Sequence, residues 1–547
     1  MKFSEFAELC QRLQETRSRL KLISYLCDFL KNLSPSEARV STYLLLGRPF
    51  PPNSELRLDL SWAGILKVIE ALGIKKENIK AVDAGEFAAK LLEEKAIIPP
   101  ALTLSDVYRY LEAIALSKGK GSRGKKHSYL KELFERASPI EVKYIVNSIL
   151  GDMRIGVDEG ILLEALARLS SLGLEAIRRA YMFLPDLGEI ASKVISEGKQ
   201  GILNVKPKLF YPLRPMLAQG LDDFEELPGN ISRFSLEFKY DGLRVQIHKR
   251  EKKIKLFSRK MRDISLAFPE LLQKVSSEIR ADSAILDGEI IAVDKRGRPL
   301  PFQYLSRRIM RKEKVKEVAR DIMVKLFLFD CLYMDGKVLV DLPYRERIKR
   351  LGEIRGGLSL AERTVPKGIE DATSFFKKAL DMGHEGLVAK ALDGPYNPGM
   401  RGKFWFKVKK AITVDLLIVA AQWGYGRRHN FLSDYWLSCF DEKNRKFVPV
   451  GKTFKGLTDK EFSEITKRLL RDKLAEEGGI VYVRPSIVVE VAFNEVQRSK
   501  TYSSGFALRF ARIKRIRDDK SPFDITTLSE IKGIYERQLG KKGLFKV

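Results

Sequence analysis

Three domains of different class are predicted along this 547-residue chain: an all-α N-terminal domain over 1–212, an α+β domain over 213–410 and a C-terminal β-barrel domain over 411–547. Three observations predict them. The chain is far longer than one hydrophobic core supports, and roughly 150 residues per domain implies about three or four cores. Apolar residues recur every three or four positions up to about residue 200, then alternate or form short continuous runs. Between the two patterns, Val205-Lys-Pro-Lys-Leu-Phe-Tyr-Pro-Leu-Arg-Pro215 interrupts the chain with three prolines.

The helical reading of the first part rests on spacing. Phe3, Phe6, Cys10 and Leu13 fall on one helix face, and Ile140 to Leu150 repeats the pattern. Within this part, Lys118-Gly-Lys-Gly-Ser-Arg-Gly-Lys-Lys126 joins flexible glycine to positive charge. That composition suits backbone amides and cations that follow phosphates, with a solvated surface loop as the alternative. Beyond the prolines, strand-like segments run from Phe234 to Phe238, Leu243 to His248, Lys253 to Phe257, Ile285 to Val293, Val324 to Tyr333, Gly386 to Ala389 and Phe404 to Val408, with helical stretches between them. After Lys410 the strands Asp415 to Gln422, Tyr435 to Phe440, Phe447 to Phe454 and Ile487 to Phe493 surround one helical segment, Asp459 to Glu476, which predicts a small barrel of OB type. There is no internal repeat and no low-complexity tract.

Composition narrows the function. Hydrophobic residues make up 44% and charged residues 31%, as in a folded protein rather than a disordered or fibrous one. Lysine and arginine number 99 against 71 acidic residues, a net charge of +28 that points to a polyanionic partner, nucleic acid first. No apolar run reaches the ~20 residues that span a bilayer. Lys2, Glu5 and Glu8 interrupt what a signal peptide would need as an apolar stretch, so an intracellular protein is expected. Cys10, Cys27, Cys331 and Cys439 show neither a CxxC pair nor a zinc-spaced histidine, which argues against structural zinc and a disulfide framework. The charge content and short, proline-marked connections suit a hot habitat.

The chemistry concentrates at Glu237-Phe-Lys-Tyr-Asp-Gly-Leu-Arg244, where a lysine between two acidic residues ends one strand and a glycine turn leads into the next. Lysine has an ordinary pKa near 10.4, and lowering it by about three units costs roughly 4 kcal/mol, so a nucleophilic lysine needs help from its surroundings. A bound divalent metal and nearby arginines would supply it. A hairpin with a surface Lys-Asp pair is the plainer reading of this stretch alone.

Further motifs follow in order, and with them the chain resembles the nucleotidyltransferase superfamily of ATP-dependent DNA ligases and mRNA capping enzymes. Lys239-Tyr-Asp-Gly-Leu-Arg244 resembles motif I, Ser258-Arg-Lys-Met-Arg-Asp-Ile-Ser265 motif Ia, Leu286-Asp-Gly-Glu289 motif III and Phe329-Asp330 motif IIIa. Glu385-Gly-Leu-Val-Ala-Lys390 resembles motif IV, Lys407-Val-Lys409 motif V, and Arg509-Phe-Ala-Arg-Ile-Lys-Arg-Ile-Arg-Asp-Asp-Lys520 motif VI. The resemblance implies that Lys239 attacks the α-phosphate of ATP and carries AMP. It implies that Glu237, on the same strand face as Lys239, accepts from the adenine amino group and that Phe329 stacks on the ring. Arg244 and Arg259 would lie near the ribose and phosphates. Glu289 would read the ribose and, with Glu385, bind Mg²⁺, with Mn²⁺ as an alternative. Arg401, Lys407 and Lys409 would face the triphosphate. Arg512, Arg517 and Lys520 would reach the phosphates only when the C-terminal domain closes about a hinge just after Lys410. In the family this closure orients the departing pyrophosphate, and reopening turns another face of the barrel to DNA. Ala511 departs from the proline many relatives carry.

Ala137-Ser-Pro-Ile-Glu-Val-Lys-Tyr-Ile-Val-Asn-Ser-Ile-Leu-Gly-Asp-Met-Arg-Ile-Gly-Val157 resembles a signature of the helical DNA-binding domain of archaeal and eukaryotic replicative ligases, which capping enzymes ordinarily lack. Leu213-Arg-Pro-Met-Leu-Ala218 resembles the start of the adenylation domain. The implied architecture is thus an all-α DNA-binding domain, an α+β nucleotidyltransferase (adenylation) domain and an OB-fold domain, arranged as in archaeal ligases. The implied function is sealing of nicks in double-stranded DNA, through a lysyl-AMP and a DNA-adenylate, in replication, recombination and repair. Lys118, Lys120, Ser122, Arg123, Lys125 and Arg154 are the expected DNA contacts. A monomer in the cytoplasm, associated with the nucleoid, is expected; a sliding clamp is a further candidate partner, although no clamp-binding motif stands out. NAD is disfavoured as cofactor, since the zinc cysteines and nicotinamide-recognising leader of NAD-dependent ligases have no counterpart. Two alternatives remain: a GTP-using capping or RNA-joining enzyme, and a DNA-binding protein with an inactive nucleotide site.

Overall fold

A computed structural model describes residues 1–74, 81–93, 102–221, 223–300, 302–309, 322–398, 403–409, 412–424, 428 and 430–541. Up to Leu203 the described residues form eleven helices, from Phe3–Gln14 to Leu187–Leu203. Phe3, Phe6, Cys10 and Leu13 all lie in the core, as their spacing predicts. The helix Pro139–Leu150 shows why it starts and stops where it does. Proline needs no partner for a missing N–H at the first position, Ser138 N–H donates to Glu141 at 2.8 Å, and Gly151 ends the helix with φ of 74°. The basic glycine run is not one loop. Gly121, at φ 78°, begins the helix Ser122–Glu135, so the second half of the run is that helix's first turns. Leu130, Leu133 and Phe134 anchor the helix in the core, and Lys126 is buried, its Nζ donating to the Leu58 carbonyl at 2.7 Å.

Eleven strands are described between residues 219 and 409: β1 (Gln219–Leu221), β2 (Phe234–Lys239), β3 (Leu243–Arg250), β4 (Lys253–Ser258), β5 (Ser283–Val293), β6 (Met323–Met334), β7 (Lys337–Val338), β8 (Ser359–Leu360), β9 (Arg363–Thr364), β10 (Gly386–Ala391) and β11 (Trp405–Lys409). They make two sheets, ordered β1-β11-β10-β2-β9 and β4-β3-β5-β6-β7, with β8 beside β6. Pro269–Glu278 and Tyr344–Ile354 cover the second sheet through Leu271, Val275, Ile348 and Leu351, and Ile369–Asp381 covers the first through Ala372 and Ala379. The proline-rich segment is fastened to β3: Phe210 N–H donates to His248 Nδ1 at 3.0 Å and Leu213 N–H to Gln246 Oε1 at 2.7 Å. Leu213, Met216, Tyr396 and Trp405 join the helical core, and Arg214–Glu159 (2.9 Å) and Arg179–Asp341 (2.7 Å) tie the two parts at the surface.

Among the described residues nine further strands follow: β12 (Ile412–Trp423), β13 (Leu432–Asp441), β14 (Lys446–Thr453), β15 (Lys473–Glu477), β16 (Ile480–Val483), β17 (Val488–Phe493), β18 (Glu495–Arg498), β19 (Phe506–Arg509) and β20 (Arg512–Ile516). β17 lies between β12 and β20, and β18 and β19 form a hairpin. The helix expected over Asp459 to Glu476 ends at Arg471. Lys473-Leu-Ala-Glu-Glu477 favours helix by composition, but Gly478 and Gly479, at φ 56° and 79°, form a two-residue turn that pairs Glu477 with Ile480. Pairing with β16 overrides local preference. All four cysteines are buried and unpaired. Among the described residues no helix is long and apolar enough to cross a membrane.

Candidate active site

Residues of both middle sheets line a cleft of about 690 Å³. Strand alternation decides which side chains enter it. Glu237 and Lys239 share a face of β2, Val388 and Lys390 a face of β10, and Trp405, Lys407 and Lys409 a face of β11, and all line the cleft. Gly386 pairs with Lys239 on one side and Lys409 on the other. Glu385, just before it, therefore lies between the two lysines and forms an ion pair with each. Only glycine fits at 386: its φ is 142°, and a Cβ would stand 2.3 Å from the Val408 carbonyl oxygen. Gly242 meets a similar limit, since a Cβ there would lie 2.5 Å from the Ile290 carbonyl oxygen, where the β2–β3 turn crosses β5.

One end of the cleft is built on a buried ion pair. Glu237 accepts from the Tyr344 hydroxyl, and its other oxygen pairs with Lys390 Nζ at 2.7 Å. Lys390 also donates to the Phe329 carbonyl at 3.1 Å and lies 4.3 Å from the Phe329 ring centre and 4.5 Å from that of Trp405. Burial raises the Glu237 carboxyl and lowers the Lys390 ammonium, while their attraction works against both shifts. Phe329 is half-buried, leaving ring surface in the cleft. Asp330, next on β6, forms a fully buried two-point pair with Arg347 at 2.8 and 3.0 Å.

Arg244 lines the cleft but is committed to the wall. It pairs with Asp287 at 2.7 Å, donates to the Met216 carbonyl and meets the Tyr396 hydroxyl at 3.1 Å, while that hydroxyl donates to Asp287 at 2.6 Å. Burial opposes its charge, yet Asp287 holds the guanidinium above its ordinary range. Arg259 is exposed at the rim.

Two carboxyl groups in the cleft are driven in opposite directions. Burial pushes Glu289 up to about 8, with Lys239 and Arg244 resisting. Burial also disfavours the charge on Glu385, but Lys239 and Lys409 hold it down to about 2. Asp241 is raised, first by burial and then by Glu385. Among the described residues no three carboxylate, histidine or cysteine side chains are grouped to hold a metal by themselves. Glu289 and Glu385 suit a hard cation only when phosphate oxygens and water complete its shell.

The remaining expected residues lie elsewhere. Arg401 and the hinge after Lys410 are outside the described residues. Arg512, Arg517 and Lys520 do not line the cleft; Arg517 and Lys520 pair with Asp415 at 3.0 and 2.7 Å. Lys118, Lys120, Arg123 and Lys125 are exposed and Ser122 is half-buried; Ser122 and Arg123 line a second cavity, of about 530 Å³, with Ser61, Lys126 and His127. Arg154 is exposed, pairs with Asp152 at 2.8 Å and donates to the Val82 carbonyl. Sequence reasoning missed roles for Lys390, Trp405, Tyr344 and Asp241. Counting back in twos along β11 from Lys409 would have reached Trp405, and Lys390 closes a quoted motif. Tyr344 gave no signal, because its partner Glu237 is 107 positions away.

Three family models match the chain: one described as DNA ligase N terminus over residues 2–167, one as ATP dependent DNA ligase domain over 215–409, and one as ATP dependent DNA ligase C terminal region over 428–520. Among curated relatives, DNA ligase 1 of Korarchaeum cryptofilum is 43% identical, covering 99% of both chains. DNA ligase of Thermococcus fumicolans is 39% identical, covering 99% of this chain and 100% of its own. A solved structure described as Pmar-Lig_PreS3 shares the fold over 94% of this chain and 99% of its own, with a TM-score of 0.54 at 16% identity.

Proposed function

This chain belongs to the ATP-dependent DNA ligase family, and from that premise we propose that Lys239 is the nucleophile that carries AMP and that the protein passes this AMP to the 5′ phosphate of a nick in double-stranded DNA. The observation that supports this best is the setting of Lys239. Its amine opens into a cleft with Lys407 and Lys409 on β11, across β10 from its own strand, and a buried acceptor, Glu237, two residues back. In the first step a Lys239 Nζ–Pα bond forms, the bond from Pα to the bridging oxygen breaks, and pyrophosphate leaves with the electron pair. The ammonium of Lys239 gives one proton to solvent beforehand and its nitrogen loses a second once it is bonded to Pα; Glu385, kept charged by its two lysine partners, orients the amine rather than taking its proton. Lys407 and Lys409 offset charge on the phosphates, an electrostatic use of fixed cations. Arg259 serves the phosphates from the rim, and Arg244, held by Asp287, shapes the nucleotide wall beside Phe329. Mg²⁺, or Mn²⁺, would be held by Glu289 and Glu385 and would neutralise charge on the transferring phosphate. In the two later steps AMP moves to the nick 5′ phosphate, and the 3′ hydroxyl displaces AMP.

The working domain limits remain 1–212, 213–410 and 411–547. Lys118, Lys120, Ser122, Arg123, Lys125 and Arg154 are assigned to the DNA backbone, and Arg401, Arg512, Arg517 and Lys520 to the triphosphate. A monomer in the cytoplasm, at the nucleoid and open to recruitment by a sliding clamp, is the setting we assign.

The test is incubation with ATP labelled at the α-phosphate, denaturation, and a chase of a duplicate sample with nicked duplex. Label that survives denaturation and leaves on sealing is expected, and Lys239→Ala is expected to take no label while still binding DNA. Normal labelling of that variant would remove Lys239 from its role. Label from GTP alone would favour a capping-type enzyme, and none from either nucleotide would favour DNA binding without catalysis.

A further inference from the structure

We propose that Asp415 is a positioning residue for the transfer of AMP to Lys239: it holds Arg517 and Lys520 as one preformed pair of cations for the triphosphate. The inference rests on the reading above, in which these two cations meet the nucleotide. The Asp415 carboxylate is divided between them, Oδ1 accepting from Arg517 Nη1 at 3.0 Å and Oδ2 from Lys520 Nζ at 2.7 Å. The fold brings the three together. Asp415 pairs with Glu490 on β17, β17 pairs with β20, and just beyond β20 Arg517 N–H donates to the Val488 carbonyl at 2.8 Å. Lys520 N–H then donates to the Arg517 carbonyl at 3.2 Å, closing a turn between the two cations. On its other side Asp415 is fixed by Thr526, whose Oγ1 accepts from Asp415 N–H at 3.1 Å and whose N–H donates to the Asp415 carbonyl at 2.9 Å.

Thus a short side chain on a fixed backbone holds two long ones that would otherwise sample many rotamers. Asp519 also grips Arg517, at two points of 2.8 and 2.6 Å, but it is 65% exposed against 18% for Asp415, so solvent screens that outer contact more, and it is Asp415 that meets Lys520 as well. Asp415 is not a latch against closure. It and both cations belong to one sheet and its adjoining turn, so any swing of this part carries all three together. Charge alone predicts that removing Asp415 strengthens attraction for ATP. Placement predicts the reverse for the rate, since cations aimed in advance at developing charge act without reorganising.

Single-turnover labelling of the full chain across ATP concentrations separates these. Asp415→Asn is expected to slow formation of the Lys239–Pα bond about ten-fold or more at saturating ATP, the scale of a lost orienting contact. It is expected to seal nicked duplex already bearing 5′ AMP within about two-fold of the unaltered protein, because that reaction releases no pyrophosphate. Asp415→Glu, which keeps the charge, should recover part of the labelling rate. Labelling by Asp415→Asn at the unaltered rate overturns the inference. So does an equal loss in both reactions, which would mark Asp415 as merely structural. Arg517→Ala is run alongside. If it is slow while Asp415→Asn is normal, only this inference falls; if it labels normally, the assignment of Arg517 to the triphosphate falls and takes this inference with it.

Discussion

Lys390 and Glu237 are both about 98% buried and neutralise each other beneath the Phe329 ring, so neither can be removed alone without stranding its partner. Lys390→Met is expected to cost about 3 kcal/mol in ligand-free stability, and the double variant Glu237→Gln, Lys390→Met to regain most of it. Chemical denaturation of the singles and the double closes the cycle; a single variant as stable as the unaltered chain would show that the pair does not hold the cleft floor. Glu237 remains an acceptor only while Lys390 and Tyr344 orient it. The same Lys390→Met change should therefore weaken ATP binding more than it weakens attachment of pre-adenylated DNA. Gly386 works at this scale by having no side chain, since any Cβ would push β10 off β11 and separate Glu385 from its two lysines.

At the scale of elements, the segment before the middle sheets depends on a neutral histidine. His248 Nδ1 accepts from Phe210 N–H, so the ring proton lies on Nε2 and is shared with Gln246 Oε1 at 2.9 Å. Burial pushes the imidazole down from 6.5 to about 3. Because the folded value lies below the unfolded one, this stability is whole above pH 6.5 and is lost as pH falls from 6.5 toward 3. The loss should reach roughly 2 kcal/mol by about pH 5. His248→Asn, which keeps an acceptor and cannot be protonated there, should flatten the acid side of the thermal-stability profile. An unchanged acid slope in that variant would place the acid sensitivity elsewhere. β15 teaches a related lesson: five helix-favouring residues are held extended by a Gly478-Gly479 turn and a partner strand.

Over the whole molecule, charge +28 and an exposed basic run on the helical part predict steep salt dependence of nick binding. Changing Lys118, Lys120, Arg123 and Lys125 together to alanine should reduce the slope of log affinity against log salt by about 3.6. A slope unchanged by the four substitutions would take this run off the DNA. The cations expected at one triphosphate stand on two bodies, Lys407 and Lys409 in the middle sheets and Arg517 and Lys520 beyond β20. Transfer and sealing should therefore respond differently to changes in the C-terminal part.

Local pattern determined a great deal by itself. Alternation placed Glu237 with Lys239, and the change of apolar period separated helices from strands, because both are properties of neighbouring residues. Ordered motifs gathered Lys239, Glu289, Phe329, Glu385, Lys407 and Lys409 before any coordinates, and the fold brings these six to one cleft. Only tertiary structure decided that Arg244 faces Asp287 and Tyr396, that Tyr344 and Lys390 share Glu237, and that Asp415 joins Arg517 to Lys520. Those partners are from 43 to 153 positions apart in the first two cases and about 100 in the last. Strand order and register set such distances, and a one-residue slip in register would turn the cleft-facing side chains to the opposite face of the sheet.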